Sequence, residues 1–344
     1  MRPYLFSIIV PTFNRANEIR ELIGSFQNQT LPHNQFEVLL VDDGSDDDTP
    51  EQIKQFIPQV DFRIRLLQRE HEGPGPARNF GMAQAEGEFF LFIDSDCIAD
   101  RYWLECIART IEKEQPQAFG GPDGVLPEFT PLQKAIDYAM TSFLTTGGMR
   151  GHASKRLAKF YPRSYNMGIH HSIFENLGGM NNLRHGQDLE FSRRISASGA
   201  KVIYVPDAIV YHKRRTSLRK FFRQIFNWGV ARINLAKIDQ AILEPLHFIP
   251  AVGTFSYFIL ILLTPFHPIF RYCWLIATGI GLGLMITILI SAFRRYRDFR
   301  TALLAPVVSL IQIVAYGLGF TTNYIRRILL RKGEYTGFTK KYYQ

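Results

Sequence analysis

Cysteine is scarce in this chain. Its three thiols, Cys97, Cys106 and Cys273, are odd in number and form no Cys-x-x-Cys pair. That excludes a disulfide framework and a thiolate zinc site, and it fits a reducing compartment. No G-x-G-x-x-G follows the first apolar strand, so hydride transfer on a dinucleotide is disfavoured. Gly73-Pro74-Gly75 is a fragment of that pattern in the wrong place and reads as a turn. No G-x-x-x-x-G-K-S/T loop occurs, which argues against P-loop chemistry. The N-terminus is not expected to be a signal peptide, because the apolar run Leu5–Val10 is too short and is stopped by Pro11. The front half is therefore expected in the cytosol. Acid is scarce in the back half, where residues 211–344 hold 19 Lys+Arg and 4 Asp+Glu, against 21 and 27 in residues 1–210. The asymmetry points to two environments rather than one nucleic-acid-binding surface, and no nucleic-acid partner is expected.

What is present begins with alternation. A hydrophobic content of 46% is too high for a disordered chain, and 344 residues leave room for more than one unit. Leu5–Val10, Phe36–Val41, Phe62–Leu67 and Glu88–Ile93 read as buried strands. Between them lie helical segments. One carries Ile19, Leu22, Ile23 and Phe26 on a single face, one opens at Thr49-Pro50, and one opens at Gly73-Pro74-Gly75-Pro76. This βαβαβαβ order predicts an α/β, mostly parallel, doubly wound sheet. Two strands end in acids, one at Asp42-Asp43 and one at Asp94-Ser95-Asp96. Ligands of such sheets sit beyond the carboxyl ends of the strands. Carboxylates at i and i+2 in that place can hold a hard divalent cation, which suits a phosphate-bearing substrate.

The ordered blocks Ser7-Ile8-Ile9-Val10-Pro11-Thr12-Phe13-Asn14-Arg15, Val41-Asp42-Asp43-Gly44-Ser45, Ala77-Arg78-Asn79-x-Gly81 and Asp94-Ser95-Asp96 resemble the motifs of family 2 glycosyltransferases. The resemblance covers roughly residues 5–235 and implies a GT-A fold and an inverting transfer. It also implies a donor site made of Pro11, Thr12, Phe13, Arg15, Asp42, Asp43, Arg78, Asp94, Ser95 and Asp96. There, Pro11-Thr12-Phe13 with Asp42 or Asp43 would hold the nucleobase and ribose. Arg78 would contact the donor, Asn79 would shape the same loop, and Asp94 would face the ribose. Asp96 would ligate Mg²⁺ or Mn²⁺ on the diphosphate.

Further along, Tyr102–Glu114 reads as an amphipathic helix with Trp103, Ile107 and Ile111 toward the sheet. Residues 129–160, with Gly147, Gly148 and Gly151, are expected to form a mobile acceptor loop. Then come Asn166-Met167-Gly168, Leu177-Gly178-Gly179-Met180 and Gly186-Gln187-Asp188-Leu189. By itself Asp188 could be a plain helix cap. The resemblance puts it in the place of the catalytic base, with Gln187 where the family usually has Glu. His212, after a strand at Lys201–Val205, matches a second metal ligand of some GT-A enzymes. His170, His171 and His185 fall on no motif and read as acceptor-loop or surface residues.

The back half is basic and apolar. Ser217–Lys237 interleaves aromatic and basic residues at helical spacing, as in a helix lying on an anionic membrane. Apolar stretches at 246–266, 268–292 and 301–323 each approach the ~20 residues a membrane-spanning helix needs. Arg294, Arg295, Arg297 and Arg300 favour the cytosolic side. Two or three of the stretches are expected to cross. Gln224-Ile225-Phe226-Asn227-Trp228 is similar in spacing to the Gln-x-x-Arg-Trp motif of processive synthases, but with Asn for Arg.

The expected organisation is a catalytic domain at 1–211, a membrane-surface helix at 212–244, a transmembrane region at 245–325 and a basic tail at 326–344. The expected activity is metal-dependent transfer from a nucleotide-sugar, a UDP-sugar by preference. The acceptor would be lipid-linked, at the cytosolic face of a membrane whose lipids are also partners. The alternatives are a processive polysaccharide synthase, a nucleotidyltransferase releasing pyrophosphate, and a non-catalytic nucleotide-sugar-binding scaffold.

Overall fold

The computed structural model describes residues 2–147 and 159–338. In chain order the first elements are β1 (Tyr4–Thr12), α1 (Ala16–Gln27), β2 (Phe36–Asp42), α2 (Thr49–Phe56), β3 (Arg63–Gln68), α3 (Pro74–Gln84) and β4 (Gly87–Phe92). Next come β5 (Cys97–Ala99), α4 (Trp103–Glu114), β6 (Ala118–Gly120), β7 (Asp123–Gly124), α5 (Pro131–Thr141) and α6 (Phe143–Thr146). They are followed by β8 (Met167–His170), α7 (His171–Leu177), α8 (Gln187–Ala197), β9 (Val202–Tyr204) and β10 (Val210–His212). Four helices close the chain: α9 (Leu218–Ile238), α10 (Ile249–Leu263), α11 (Pro268–Tyr296) and α12 (Phe299–Tyr324).

The chain divides into two units. One holds residues 2–126 and 160–213, and the other holds 127–147, 159 and 214–338.

The first unit has the expected α/β fold. Its main sheet runs β3-β2-β1-β4-β8-β6-β9. β3, β2, β1 and β4 are mutually parallel, and β8 runs antiparallel to both β4 and β6. Strands buried on both faces explain the continuous apolar runs in the sequence. Ile8, Val10, Val38, Leu40 and Leu91 face one core with α1 and α4, and Ile9, Val41, Phe90 and Phe92 face the other. Ile19, Leu22, Ile23 and Phe26 of α1 are buried as their spacing predicts. A second sheet, β5-β10-β7, stands at the carboxyl end of β4.

The second unit is helical. Residues 131–141, expected within a loop, form α5. Thr130 and Gln133 make a capping box there, and Pro131 occupies the first turn. Gly148 and Gly151 of the expected loop lie outside the described residues. Three helical segments, Pro245–Leu263, Pro268–Tyr296 and Phe299–Leu329, are long and apolar enough to cross a membrane. They coincide with the three apolar stretches of the sequence.

α9 departs from the expectation of a helix resting on lipid. Phe221 and Ile225 are buried in one cluster with Val308 and Ala315 of α12, and Ile233 is buried in another with Phe320. Gly229 and Gly319 allow this, because a Cβ at either would run into the other helix's backbone. Asn323 donates to the Val230 carbonyl and to the Asn234 amide oxygen, each at 2.8 Å. Arg219, Lys220 and Arg223 stay exposed on the opposite side.

Candidate active site

Four strand ends of the first unit, with α3 and the start of α8, carry the donor, metal and base residues singled out above. β1 and β2 run in register, so Pro11 faces Val41 and Thr12 faces Asp42. The loops beyond them are tied together. Asn14, held at φ 53°, donates its backbone N–H to the Ser45 hydroxyl oxygen at 2.9 Å, and its amide oxygen accepts from the Asp46 N–H at 3.0 Å. The Arg15 backbone N–H donates to Thr49 Oγ1 at 2.8 Å, while its guanidinium pairs with Glu18. Asp42 is buried and accepts from the Ser45 N–H at 3.2 Å.

Asp43 is buried and acts as a clamp. Its carboxylate accepts from the N–H groups of Glu72 (3.2 Å) and Gly73 (2.7 Å), and the His71 imidazole lies 3.0 Å away. Burial pushes its carboxyl upward, outweighing those two N–H groups, His71 and Arg69. The clamp holds His71 against Phe13, ring centroids 4.4 Å apart. His71 carried no motif signal, and only the fold brings it beside Phe13.

At the end of β4 the chain turns, with the Cys97 N–H donating to the Asp94 carbonyl at 3.0 Å. Arg78 of α3 is buried, and its guanidinium meets Asp94 at 2.5 Å. The expected donor-binding Arg78 and Asp94 are thus partners of each other. Ser95 is buried between the two acids. Asn79 points elsewhere: its amide donates to the Met180 carbonyl and accepts from the Met180 N–H, both at 2.8 Å. It therefore fastens the Gly178-Gly179 turn to α3.

The second sheet brings His212 to Asp96. β10 pairs antiparallel with β5, which sets His212 opposite Cys97. His212 Nε2 then lies 3.3 Å from Asp96 Oδ1. The Tyr211 hydroxyl fixes the same strand by donating to Asp100 at 2.9 Å, and burial with that carboxylate pushes its own pKa up to about 12. Burial lowers the His212 pKa, but Asp96, with Asp123 and Asp94 beyond, outweighs it and leaves the imidazole raised. β7 runs parallel to β10 and sets Asp123 opposite Val210. Asp123 went unread in the sequence, since a two-residue strand leaves no periodic signal.

Asp96, Cys97 and His212 are a metal-sized cluster, their ligand atoms all within 4.8 Å. Cys97 is buried, and its soft thiolate suits neither Mg²⁺ nor Mn²⁺, which prefer oxygen ligands. Carboxylate oxygen and imidazole nitrogen do fit Mn²⁺, and the carboxylate suits Mg²⁺. Asp96 and His212 keep 20% and 24% of their side-chain surface exposed, so a ligand can reach them.

The segment 7–178 matches the model of a family described as Glycosyl transferase family 2. The chain belongs to glycosyl transferase family 2. Its members act as glycosyltransferases on nucleotide-sugars, and this chain is one of them. Over 240 residues it is 30% identical to Glycosyltransferase AglE of Haloferax volcanii, covering 67% of this chain and 77% of that one. It is 26% identical over 240 residues to a dolichyl N-acetyl-α-D-glucosaminyl phosphate 3-β-D-2,3-diacetamido-2,3-dideoxy-β-D-glucuronosyltransferase of Methanococcus voltae, covering 66% of this chain and 72% of that one. A mannosyltransferase of Pyrobaculum calidifontis, solved with GDP-Man and Mn²⁺, shares the fold with a TM-score of 0.62. It is 20% identical and is matched over 90% of this chain and 88% of that one.

In this family 2 member, Asp188 is the second residue of α8, after Gly186 at φ 78°. Its Oδ1 accepts from the Leu189 N–H at 2.8 Å, and the Arg163 guanidinium lies 3.7 Å from Oδ2. Gln187 is buried, donates to the Leu183 carbonyl at 2.6 Å and packs against Gly75, where a Cβ would come within 2.7 Å of its amide. The Gln that departs from the family's usual Glu is thus an inward-facing spacer against α3. His170 accepts from the Ser172 N–H as the cap of α7, and His171 pairs with Glu175 at 2.8 Å.

Proposed function

We propose that this chain is an inverting, divalent-cation-dependent glycosyltransferase that moves a sugar from a nucleotide-sugar to a lipid-linked acceptor at the cytosolic face of a membrane. The observation that carries the reading is the approach of His212 Nε2 to Asp96 Oδ1 at 3.3 Å, from segments far apart in the α/β unit's sequence.

Phe13, beside His71, offers an aromatic face to the nucleobase. Pro11, Thr12, Arg15, Asp42 and Asp43 build the loops around it. Arg78, Asp94 and Ser95 line the donor's ribose and diphosphate side. Asp96 and His212 would hold Mg²⁺ or Mn²⁺, whose charge would meet that of the departing diphosphate. Asp188 takes the proton from an acceptor hydroxyl as its oxygen attacks the anomeric carbon, and the bond to the nucleoside diphosphate breaks on the opposite face. The lipid-linked acceptor is supported by the three long apolar helices and by the dolichyl-linked substrate named for the Methanococcus voltae relative. Single transfer is favoured over processive synthesis by Asn227. It stands where the processive motif has Arg, and its amide oxygen accepts the backbone N–H of Phe338 at 2.9 Å.

The test is nucleoside-diphosphate release by the purified membrane protein with UDP- and GDP-sugars, Mn²⁺ or Mg²⁺ and a lipid extract. Release from one donor, lost in Asp188→Asn, is expected. Release of pyrophosphate instead, or release unchanged in Asp188→Asn, would overturn the reading. Polymer made from donor alone would favour the processive synthase.

A further inference from the structure

One four-residue turn touches both Asp188, the proposed base, and His212, the proposed metal ligand. Arg163 and Asn166 close it as an isolated β-bridge, with the Asn166 N–H donating to the Arg163 carbonyl at 2.9 Å. Its anchoring is unusually complete. The Asn166 amide donates to the Pro122 carbonyl (3.0 Å) and the Ala208 carbonyl (2.8 Å), and its oxygen accepts from the Trp103 indole (2.9 Å). All three bonds are buried, so every side-chain polar atom of this Asn is used. Pro122 and Ala208 lie just before β7 and β10, so the same side chain sets where both strands begin. On the other side, the Pro162 carbonyl accepts from Ser192 Oγ at 2.6 Å, one helical turn after Asp188 on α8.

Two side chains extend from this fixed backbone. Arg163 reaches Asp188, Nη1 to Oδ2 at 3.7 Å, with both side chains about four-fifths buried. Tyr165 packs its ring against the imidazole of His212, centroids 5.5 Å apart and planes tilted by 39°. A guanidinium beside a carboxylate limits the rotamers the carboxylate can take. A ring against an imidazole limits its rotation about χ2.

We propose that the turn Arg163–Asn166 is the positioning element of the active site: Arg163 aims the Asp188 carboxylate at the acceptor, and Tyr165 holds the plane of His212 for the metal. The proposal rests on the roles given above to Asp188 and His212. Neither turn residue touches the reacting atoms. The two halves of the reaction share one backbone support, so their relative setting is built in before any substrate arrives.

The test uses the full-length protein in detergent, with unfolding temperature checked for each variant. Arg163→Gln should lower kcat about 10-fold, the low end for partners behind a functional group, with donor KM unchanged and Mn²⁺ affinity unchanged. Arg163→Lys should recover much of that loss. Tyr165→Leu should weaken binding of Mn²⁺ alone to nucleotide-free protein by about 10-fold, read by electron paramagnetic resonance, while Tyr165→Phe keeps it. Raised donor KM with intact kcat in Arg163→Gln would make Arg163 a donor contact and overturn its part. Unchanged Mn²⁺ affinity in Tyr165→Leu would overturn the other. Asp188→Asn and His212→Ala run alongside. If they keep turnover or Mn²⁺ binding, the underlying roles fail. If they lose them while the turn variants behave as wild type, only the turn's role fails.

Discussion

Two carboxylates show how the two units use negative charge. Asp96, in the α/β unit, keeps a fifth of its side-chain surface exposed beside His212. Asp137, in the helical unit, is wholly buried. Its oxygens meet Arg214 at 2.7 Å, Arg295 at 3.1 Å and the Tyr296 hydroxyl at 2.6 Å. Thr141 donates to the same carboxylate at 3.3 Å, and Arg295 in turn donates to Thr141 at 2.9 Å. Donors of fixed geometry enclose Asp137, leaving no direction for a ligand to approach. It ties α5 to the segment before α9 and to the end of α11. Asp96 and Asp188 have an approach route from solvent, and they sit at a strand end and a helix start. The contrast separates a carboxylate that holds structure from one that can hold a substrate or a cation. Burial alone does not separate them, since Asp43 is also fully buried and clamps a loop of the site.

Substitutions can break or sharpen this contrast. The largest effect should fall on chemistry: Asp188→Asn should cut turnover by about 10²–10⁴-fold, the usual worth of a positioned general base, with unfolding temperature unmoved. A loss of fold of similar size would put Asp188 with Asp137. Next, Asp137→Ala should destabilise by about 3–5 kcal/mol, because Arg214 and Arg295 are left without their carboxylate. Thermal unfolding in detergent checks this, and a near-native midpoint would deny that the cluster holds the unit together. Third, Asp96→Ala should weaken Mn²⁺-dependent nucleotide binding by roughly 10-fold or more while sparing the fold. Calorimetry with UDP or GDP, with and without Mn²⁺, reads it, and an unchanged Mn²⁺ dependence would remove Asp96 from the metal site. The smallest is Asp43→Asn, at about 1–2 kcal/mol, since an amide cannot accept both loop N–H groups with the same oxygens. Its companion readout is nucleotide affinity, which should fall as His71 loosens from Phe13.

The sequence made one of these regions far easier to read than the other. Asp94 and Asp96 end a strand whose apolar run is unmistakable, so position flagged them, whereas Asp188 by position reads as a helix cap and was singled out through resemblance. His212 was read through resemblance, and the register of β10 on β5 supplies its physical reason. Asp137 gave no warning. An acid in an amphipathic helix normally faces water, and its cations lie far along the chain. Nor could periodicity say what covers α9. It marks one apolar face, which lipid or protein could cover equally well. Gly229 and Gly319 were the available clue, as small residues where two helix backbones meet. The Arg163–Asn166 turn was silent for another reason: its value lies in three hydrogen bonds to segments remote in sequence, and no local pattern encodes these.

The strand order of the small sheet bears on when the enzyme can first work. β10 lies between β5 and β7 yet is made last of the three. As the chain leaves the ribosome from its N-terminus, β5 and β7 are long finished before the strand that joins them is translated. The proposed metal ligand His212 arrives on that strand, and the Ala208 carbonyl that accepts from Asn166 comes just before it. Only a few residues later the chain enters α9, and then the apolar segments begin. On the proposed role of His212, the metal site is therefore completed only shortly before the long apolar helices are made, a timing written into strand order rather than into any separate control.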